Sequence, residues 1–192
     1  MNDSLDLGLK EKVAIIAGAG AKGNGIGNGR AAAILLAEAG AKVVVADKDQ
    51  ELAEKTVQMI SERKGHAVSV AADLTKATDC EKVVEYALNH YGRLDVLDNN
   101  IGIASNLSVV EESEEYWDRV MAVNLKPMFL MSKYAIPAMI SSGDAGSIVN
   151  ISSISATRPK GLTAYSTSKG AVLSLTQAMA VDHGSDGIRV NC

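Results

Sequence analysis

Few cysteines, no long apolar run and no excess of basic residues set the first limits on this chain. It has two cysteines, Cys80 and Cys192, in 192 residues. Their spacing matches neither a metal site nor a disulfide framework, so we expect a reducing compartment and no metal. No apolar run reaches the roughly 18 residues of a membrane span, and the N-terminus has acids where a signal peptide needs basic residues. We therefore expect a cytoplasmic protein that does not enter a membrane.

The charge balance and the even composition narrow the class further. The formal net charge is −4 without a cluster of Lys or Arg, which disfavours nucleic acid or an anionic membrane as a partner and leaves a small molecule. Hydrophobic residues make up 47% of the chain and charged residues 22%, as in ordinary globular domains. No repeat, linker or low-complexity segment interrupts the sequence. We therefore predict a single domain over residues 1–192.

Short apolar segments alternate with helical patterns along the chain. The segments predicted as strands are Val13–Ala17, Val43–Ala46, Ala67–Ala72, Leu94–Leu97, Ser147–Ile151 and Ile188–Asn191. The helical patterns are Arg30–Ala39, Gln50–Lys64, Thr78–His90, Glu114–Val123, Leu125–Ile140 and Tyr165–His183. Strands that alternate with helices indicate an α/β fold with a parallel sheet covered on both faces.

A glycine-rich stretch, GAGAKGNGIGNGR at residues 18–30, follows the first predicted strand and precedes the first helix. The second strand ends at Asp47, about 20 residues past the glycines, and this strand–loop–helix–strand order is typical of a dinucleotide site. A carboxylate there can accept hydrogen bonds from a ribose diol and repels a 2′-phosphate, which favours NAD over NADP. The literal motif G-x-G-x-x-G at Gly18, Gly20 and Gly23 would place three later glycines inside the helix, at a cost of about 3 kcal/mol. We therefore expect a longer loop.

Tyr165 and Lys169 stand four residues apart on a predicted helix, so both side chains lie on one face. A fixed ammonium favours the phenolate form of a neighbouring tyrosine, and such a tyrosine can move a proton. A tyrosine and a lysine at this spacing also fit an ordinary helix surface.

Ser152 and Ser153 follow a predicted strand at the edge where ligands gather in parallel sheets, although a turn or cap would also explain them. Asn124 is mildly unfavourable in its predicted helix, which indicates a local role.

The motifs, taken in order, resemble the short-chain dehydrogenase/reductase family, classical type. The resemblance extends from about Lys10 to the end, and it implies a Rossmann-type, doubly wound, three-layer αβα fold. It rests on KVAIIAGAG with GIG, VVVAD, ADL at residues 72–74, DNN-G at 98–102, VNL at 123–125, SIVNISS at 147–153, AYSTSKGA at 164–171 and the final GIRVNC.

This resemblance implies an oxidoreductase that interconverts an alcohol and a ketone or aldehyde with NAD, or less readily NADP. Tyr165 would be the general acid/base, Lys169 would stabilise its phenolate and hold the nicotinamide ribose, and Ser153 would orient the substrate oxygen. Asn124 would hold a water that relays protons toward Lys169. The implied cofactor-binding residues are Gly18, Gly25, Ile26, Gly27, Gly29, Asp47, Asp73 and Leu74 at the adenine, Asn99 under the adenosine ribose, Gly102, Tyr165 and Lys169.

The family's phosphate loop, Gly-x-x-x-Gly-x-Gly, is shorter than the loop in this chain and leaves two registers open. One uses Gly25-Ile26-Gly27, and the other uses Gly23, Gly27 and Gly29 with the helix beginning at about Arg30. In both, Gly18 ends the strand and Gly27 belongs to the turn that faces the pyrophosphate at the helix N-terminus.

Two departures from the family pattern lie beside the expected cofactor. The usual Asn-Asn-Ala-Gly is here Asn99-Asn100-Ile101-Gly102, so a branched side chain would crowd the cofactor. Asp98 stands where an apolar strand residue is expected, and a buried carboxylate is costly unless it is uncharged or locally paired.

The sequence ends inside the predicted sixth strand. The resemblance implies that a Pro-Gly loop, the helices over the substrate and a last strand would follow, so we expect a partial chain whose fold lacks these parts. The sequence therefore does not separate alcohol, sugar, steroid and acyl-thioester substrates. The resemblance also implies a homodimer or homotetramer formed through the two long helices, Leu125–Ile140 and Tyr165–His183.

Two other functions remain open for the same residues. A catalytically inactive nucleotide-binding or regulatory protein would keep the fold without turnover, although Ser153, Tyr165 and Lys169 argue against it. An epimerase or dehydratase of the extended type shares the glycine loop and Tyr-x-x-x-Lys but lacks the Asn-Asn turn and the VNL motif, so it is the weaker alternative.

Overall fold

The computed structural model describes residues 7–21, 25–143 and 145–192, and it contains strands and helices in alternation. The strands are β1 (Val13–Ala17), β2 (Lys42–Asp47), β3 (His66–Ala71), β4 (Val96–Asn99), β5 (Gly146–Asn150) and β6 (Ile188–Asn191). The helices are α1 (Asn28–Glu38), α2 (Gln50–Glu62), α3 (Ala77–Tyr91), α4 (Glu114–Asn124), α5 (Lys126–Ser141) and α6 (Thr163–His183). Short 3-10 turns occupy Ile154–Ala156 and Gly184–Asp186.

The strands form one six-stranded parallel sheet in the order β3-β2-β1-β4-β5-β6. The chain winds outward from β1 in one direction and then returns to continue from β4 in the other. Ala17 at the end of β1 pairs with Ala46 on β2 and with Asn99 on β4, so the carboxyl ends of these strands meet at one edge. Connections diverge at this point of reversal and leave a crevice, the usual ligand position in such sheets.

Helices cover the sheet on both faces, as predicted. Helices α3, α5 and α6 contribute to one apolar core, and α1 and α2 to the other. All five residues of β1 are buried because both cores meet there. Along β5 and β6 the burial alternates, since α5 and α6 pack on only one face of these strands. These layers confirm the doubly wound αβα fold.

None of the helices in the described ranges is long and apolar enough to cross a bilayer.

The shifts of β4 and α1, each of two residues, have identifiable reasons. Strand β4 covers Val96–Asn99 rather than Leu94–Leu97, because its last two residues are polar yet buried, and so do not resemble a strand in the sequence. Helix α1 begins at Asn28 rather than Arg30. Gly27 is its extended N-cap and Gly29 lies in its first turn, where the backbone passes against β1. The other predicted boundaries agree within two residues, and β1 and β6 agree in full.

Candidate active site

The residues predicted to form a site gather at the carboxyl edge of the sheet. Gly18 follows β1, Asp47 ends β2, Asn99 ends β4 and Ser153 follows β5. Helix α6 packs against the turn after β5 and brings Tyr165 and Lys169 to the same edge. The fold therefore joins segments that are far apart in the sequence.

The glycine-rich loop runs closely against its own strand and helix. Gly18 has a φ of +84°, a conformation that glycine adopts without strain, and its amide donates to the carbonyl of Ala46 at 2.8 Å. A Cβ on Gly29 would lie 2.3 Å from the carbonyl oxygen of Gly18, so only glycine fits there. A Cβ on Gly27 would meet only the Ala21 side chain, at 3.5 Å. Gly29 thus lets α1 pack closely against the end of β1, and Gly27 is the N-cap at which α1 begins.

The first turn of α1 leaves backbone amides without a helical acceptor, as every helix N-terminus does, which suits an anion. Gly25 and Ile26 precede this turn and are exposed. The register that uses Gly23 falls on a position outside the described residues.

Asp47 is held by two backbone amides. Its Oδ2 accepts a hydrogen bond from Gly20 at 2.8 Å, and its Oδ1 accepts one from Asp49 at 3.1 Å. A carboxylate offers about four acceptor positions, so each oxygen keeps capacity for a hydroxyl. The half-buried side chain is therefore fixed beside the glycine loop in a form that suits a ribose diol.

Asp73 and Leu74 follow β3 and form the turn into α3. Asp73 accepts hydrogen bonds from the hydroxyl of Thr75 at 2.7 Å and from its amide at 3.2 Å, and it lies 3.4 Å from the ammonium of Lys76. The hydrogen bond from the Thr75 hydroxyl is the largest cause that holds the pKa of Asp73 below its usual value. Leu74 is buried, and its carbonyl accepts from the thiol of Cys80. Both residues therefore stabilise the turn that follows β3, an outermost strand of the sheet.

Asn99 begins a buried polar chain across the sheet. Its amide nitrogen donates to Oδ1 of Asn150 at 2.9 Å, and the Asn150 nitrogen donates to the hydroxyl of Thr176 on α6 at 3.0 Å. The Oδ1 of Asn99 has no partner within the part of the chain that the structure describes. The chain of amides ties the end of β4 to the helix that carries Tyr165 and Lys169.

Lys169 is the buried cation of the site. Only 3% of the residue is exposed, and its ammonium donates to the carbonyls of Ile151 at 2.7 Å and Ile101 at 3.4 Å. Among the described residues no carboxylate forms an ion pair with it. Burial lowers its pKa to about 8. Its nitrogen lies 6.0 Å from the ring centre of Tyr165, which places the two side chains together as predicted.

Two neighbours shape the space around Lys169. A Cβ on Gly102 would lie 3.3 Å from the Lys169 nitrogen and 3.6 Å from Oδ1 of Asn124. Asn124, the last residue of α4, accepts from the amide of Ile103 at 2.7 Å and donates to the carbonyl of Ile103 and the hydroxyl of Ser168, both at 2.9 Å. The Asn124 side chain therefore anchors the segment after β4 to α6. This is the kind of local role that an asparagine inside a helix had indicated in the sequence.

Ser152 and Ser153 connect β5 to the same helix. The hydroxyl of Ser152 donates to the carbonyl of Lys169 at 2.8 Å. The hydroxyl oxygen of Ser153 accepts from the amide of Ser155 at 3.1 Å and caps a 3-10 turn. The cap that the sequence left as an alternative is therefore present, and it leaves the hydroxyl hydrogen of Ser153 free of that bond.

The two departures from the family pattern have definite places. Ile101 is half-buried, packs on the core and has a side-chain carbon 3.2 Å from the position of a Cβ on Gly18. Asp98 is 7% exposed, and one of its oxygens has no partner in the described ranges. Burial raises the pKa of Asp98 to about 6, although a hydrogen bond from the Asn100 side chain lowers it.

Arg30, which none of the sequence motifs singled out, is fully buried beneath the glycine loop. Its guanidinium donates to the carbonyls of Gly25 at 2.7 Å and Ala21 at 3.0 Å. An arginine directly after a glycine-rich loop, at the start of an otherwise apolar helix, was the signal available in the sequence.

Comparison with known proteins decides the family. The family model for short chain dehydrogenases matches residues 12–192. The chain belongs to the short-chain dehydrogenase family. An uncharacterized oxidoreductase of Thermotoga maritima is 42% identical over 191 residues, covering 96% of this chain and 71% of that protein. The meso-2,3-butanediol dehydrogenase of Serratia marcescens is 39% identical over 181 residues, covering 94% and 68% respectively.

Solved short-chain dehydrogenases share the fold. A 7α-hydroxysteroid dehydrogenase in complex with NADH and 7-oxo glycochenodeoxycholic acid has a TM-score of 0.87 and 33% identity, with 95% of this chain and 69% of that chain covered. The protein is therefore an oxidoreductase of a family that includes dehydrogenases of alcohols.

Proposed function

We propose that the protein is an NAD(H)-dependent oxidoreductase that interconverts an alcohol and a ketone or aldehyde. The buried ammonium of Lys169, which donates to the carbonyls of Ile101 and Ile151 and lies 6.0 Å from the Tyr165 ring, is the observation that supports it most. A buried cation without an acid is costly, so its retention beside a tyrosine indicates use rather than stability.

Tyr165 would act as the general acid/base. Its hydroxyl would take the proton of the alcohol during oxidation and return it to the carbonyl oxygen during reduction. Lys169, with a pKa of about 8, is largely protonated near neutral pH, and its charge favours the phenolate. The bound nicotinamide would supply the hydride acceptor or donor. The protein contributes the position of the substrate and the path of the proton.

Ser153 and Asn124 complete the proposed set. The Ser153 oxygen accepts from Ser155, so its hydrogen can point to the substrate oxygen and hold it for Tyr165. Asn124 keeps the segment at Ile103 against α6, and a proton relay to Lys169 would begin beside it.

The residues at the sheet edge fit a dinucleotide. The exposed loop at Gly25, Ile26 and Gly27 and the first turn of α1 would hold the pyrophosphate, while Gly18 and Gly29 keep the strand and the helix in contact. Asp47 would bind the adenosine ribose diol and disfavour the 2′-phosphate of NADP. The same proposal places Asp73 and Leu74 at the adenine, Asn99 under its ribose, and Gly102 and Lys169 near the nicotinamide.

We also propose a cytoplasmic homo-oligomer. An apolar groove of about 500 Å³ lies between α4, α5 and α6, and Phe129 in it is 50% exposed. A second copy of the chain would cover this groove.

Light scattering after size exclusion should show a dimer or tetramer, and Phe129→Glu should dissociate it. Val110→Glu, at a 90% exposed loop position, is the control and should leave the oligomer intact. A monomeric parent protein would refute the proposal.

The substitution Tyr165→Phe tests the catalytic proposal. The variant should bind NADH as the parent protein does, in a fluorescence titration, and lose at least about a thousandfold in turnover, which lies within the range expected for a general acid/base. The parent protein is assayed with NAD and a panel of primary, secondary and cyclic alcohols. If the parent protein binds NADH but oxidises none of them, and reduces none of the matching carbonyls, an inactive nucleotide-binding protein is favoured.

A further inference from the structure

The first turn of α1 carries a buried cation that the proposed chemistry does not use. Arg30 has no exposed surface, and its Nε donates to the hydroxyl of Thr56 on α2 at 2.9 Å. Its other nitrogens donate to the carbonyls of Gly25, Ala21 and, at 3.4 Å, Leu52. No acidic side chain in the described ranges pairs with it. The guanidinium therefore donates to one hydroxyl and three carbonyls, and two of these carbonyls belong to the glycine loop.

Thr56 extends the same contact to the start of the loop. Its hydroxyl donates to the carbonyl of Ala19 at 2.8 Å, and the residue is fully buried. The Arg30–Thr56 pair thus holds the carbonyls of Ala19, Ala21 and Gly25 toward α2. These carbonyls lie on both sides of residues 22–24.

Holding a carbonyl fixes the direction of the next amide. In a trans peptide the C=O of one residue and the N–H of the following residue point in opposite directions. The Ala19 carbonyl points to Thr56, and the next amide, that of Gly20, accordingly donates to Asp47. By the same geometry the Gly25 carbonyl, held by Arg30, turns the amide of Ile26 away from α2. Ile26 is 57% exposed and directly precedes Gly27, the N-cap of α1.

We infer that Arg30 is a positioning residue that sets the phosphate-binding form of the glycine loop from beneath, with Thr56 as its partner. It turns the Ile26 amide toward a bound diphosphate and the Gly20 amide toward Asp47. This rests on the proposed dinucleotide site and adds a residue that would not touch the ligand itself. The planar fork of arginine reaches several carbonyls at once, whereas lysine offers one nitrogen on a flexible stem.

The test compares two ligands that differ only in the diphosphate. Affinities for ADP and for adenosine are measured by titration calorimetry on the parent protein, Arg30→Lys and Thr56→Val. Arg30→Lys keeps the charge and loses the fork, so it should weaken ADP at least tenfold and change adenosine less than threefold. Thr56→Val should weaken ADP by a smaller factor in the same selective way. Ser132→Ala, at a buried serine on α5 on the opposite face of the sheet from α1 and α2, is the matched control and should leave both affinities unchanged.

Each outcome separates the inference from the function on which it rests. Equal weakening of both ligands in Arg30→Lys assigns Arg30 to general stability and overturns the inference, as does full retention of ADP binding. If the Arg30 variant does not fold, as judged by circular dichroism, the selective loss in Thr56→Val decides instead. Failure of the parent protein to bind ADP refutes the dinucleotide site itself, whereas binding without turnover refutes the redox proposal alone and leaves Arg30 in place.

Discussion

The amide of Gly20 donates a 2.8 Å hydrogen bond to Oδ2 of Asp47, and a Cβ on Gly20 would lie 2.7 Å from that same oxygen. The glycine therefore lets the loop backbone reach the carboxylate at the end of β2. One contact thus joins the segment expected to bind phosphate to the residue expected to bind ribose. A carboxylate fixed by backbone amides does not swing away from a 2′-phosphate, so under the proposed function its charge would favour NAD over NADP.

The substitution Asp47→Asn should reduce the preference for NADH over NADPH by at least tenfold. Asparagine keeps an oxygen for the Gly20 amide but removes the negative charge that repels a 2′-phosphate. Dissociation constants for both cofactors by fluorescence titration give the ratio. Asp49→Asn is the matched control, because Asp49 is exposed and caps α2 through the Leu52 amide. A ratio that Asp49→Asn alters as much as Asp47→Asn would contradict the assignment.

The substitution Gly29→Ala should destabilise the fold by more than about 3 kcal/mol, in the range of severe overpacking. The added methyl group would stand 2.3 Å from the Gly18 carbonyl oxygen, so α1 and β1 must separate. Gly170→Ala is the control inside α6, where the nearest atom outside the helix itself is the Ala156 carbonyl oxygen, 3.9 Å from the added Cβ. That change should stabilise by up to about 1 kcal/mol, since alanine favours a helix. Urea unfolding measures both, and a neutral Gly29→Ala would argue against the close packing.

The substitution Asp98→Asn should stabilise the protein by about 3 kcal/mol at neutral pH and have no effect below about pH 4. Burial raises the pKa of Asp98 to about 6 in the fold, from 3.8 in the unfolded chain. The unfolded state therefore releases the proton first, and the parent protein loses stability as the pH rises between these values. Urea unfolding across this range gives the difference between variant and parent. A constant difference at all pH values would show that the charge plays no part.

Asp95, just before β4, is the control for Asp98 because its pKa is shifted in the opposite direction. Burial alone would raise the pKa of this carboxyl, but hydrogen bonds from Arg93, the Val13 amide and Lys12 hold it below its usual value. Its stabilising effect is therefore complete at neutral pH and is lost as the pH falls through the folded pKa. Asp95→Asn should accordingly destabilise the protein at neutral pH, and less so in acid.

The substitution Lys169→Met should abolish turnover and change how stability depends on pH in alkaline solution. The folded pKa is about 8 and the ordinary value is 10.5, so between these values the unfolded state binds more protons. The parent protein should therefore gain up to about 3 kcal/mol relative to the variant as the pH rises through this interval. Lys160→Met, at an exposed position, should show no such difference. A flat difference for Lys169→Met would contradict the burial of an unpaired ammonium.

The sequence predicted the fold well for two reasons. The apolar residues of its helices recur at helical spacing, and the strands of a parallel sheet are short continuous apolar runs. Burial on both faces gives β1 a continuous apolar run, which ends where the structure ends it. At β4 the same reasoning failed by two residues, because Asp98 and Asn99 are buried polar groups and a strand made partly of such groups has no apolar signature.

The positions of the candidate site residues were predicted in outline, but the contacts that support them were not. The order of the motifs predicted that four side chains lie at one edge of the sheet, and the structure has them there: Asp47, Ser153, Tyr165 and Lys169. The place of Arg30 directly after the glycine loop was a local signal, but its burial under the loop depends on where α2 packs, which no local pattern shows. The cost assigned to a helical glycine was likewise correct for an isolated helix and incomplete for Gly29, whose missing side chain permits a tertiary contact.

The central place of β1 also bears on the order in which the chain folds. The loop is braced by Arg30 and Thr56, only 26 residues apart, whereas the Val13 amide bonds to Asp95 across 82 residues. Contacts between distant residues form late, because a longer segment must first be ordered. We expect β1, β2 and the loop to be protected early in refolding, before β4, β5 and α6, and pulsed hydrogen exchange would show simultaneous protection if this order were wrong. The half of the crevice that carries Asp47 would then form before the half that carries Tyr165, and under the proposed function a dinucleotide would stabilise a partly folded chain before any reaction takes place.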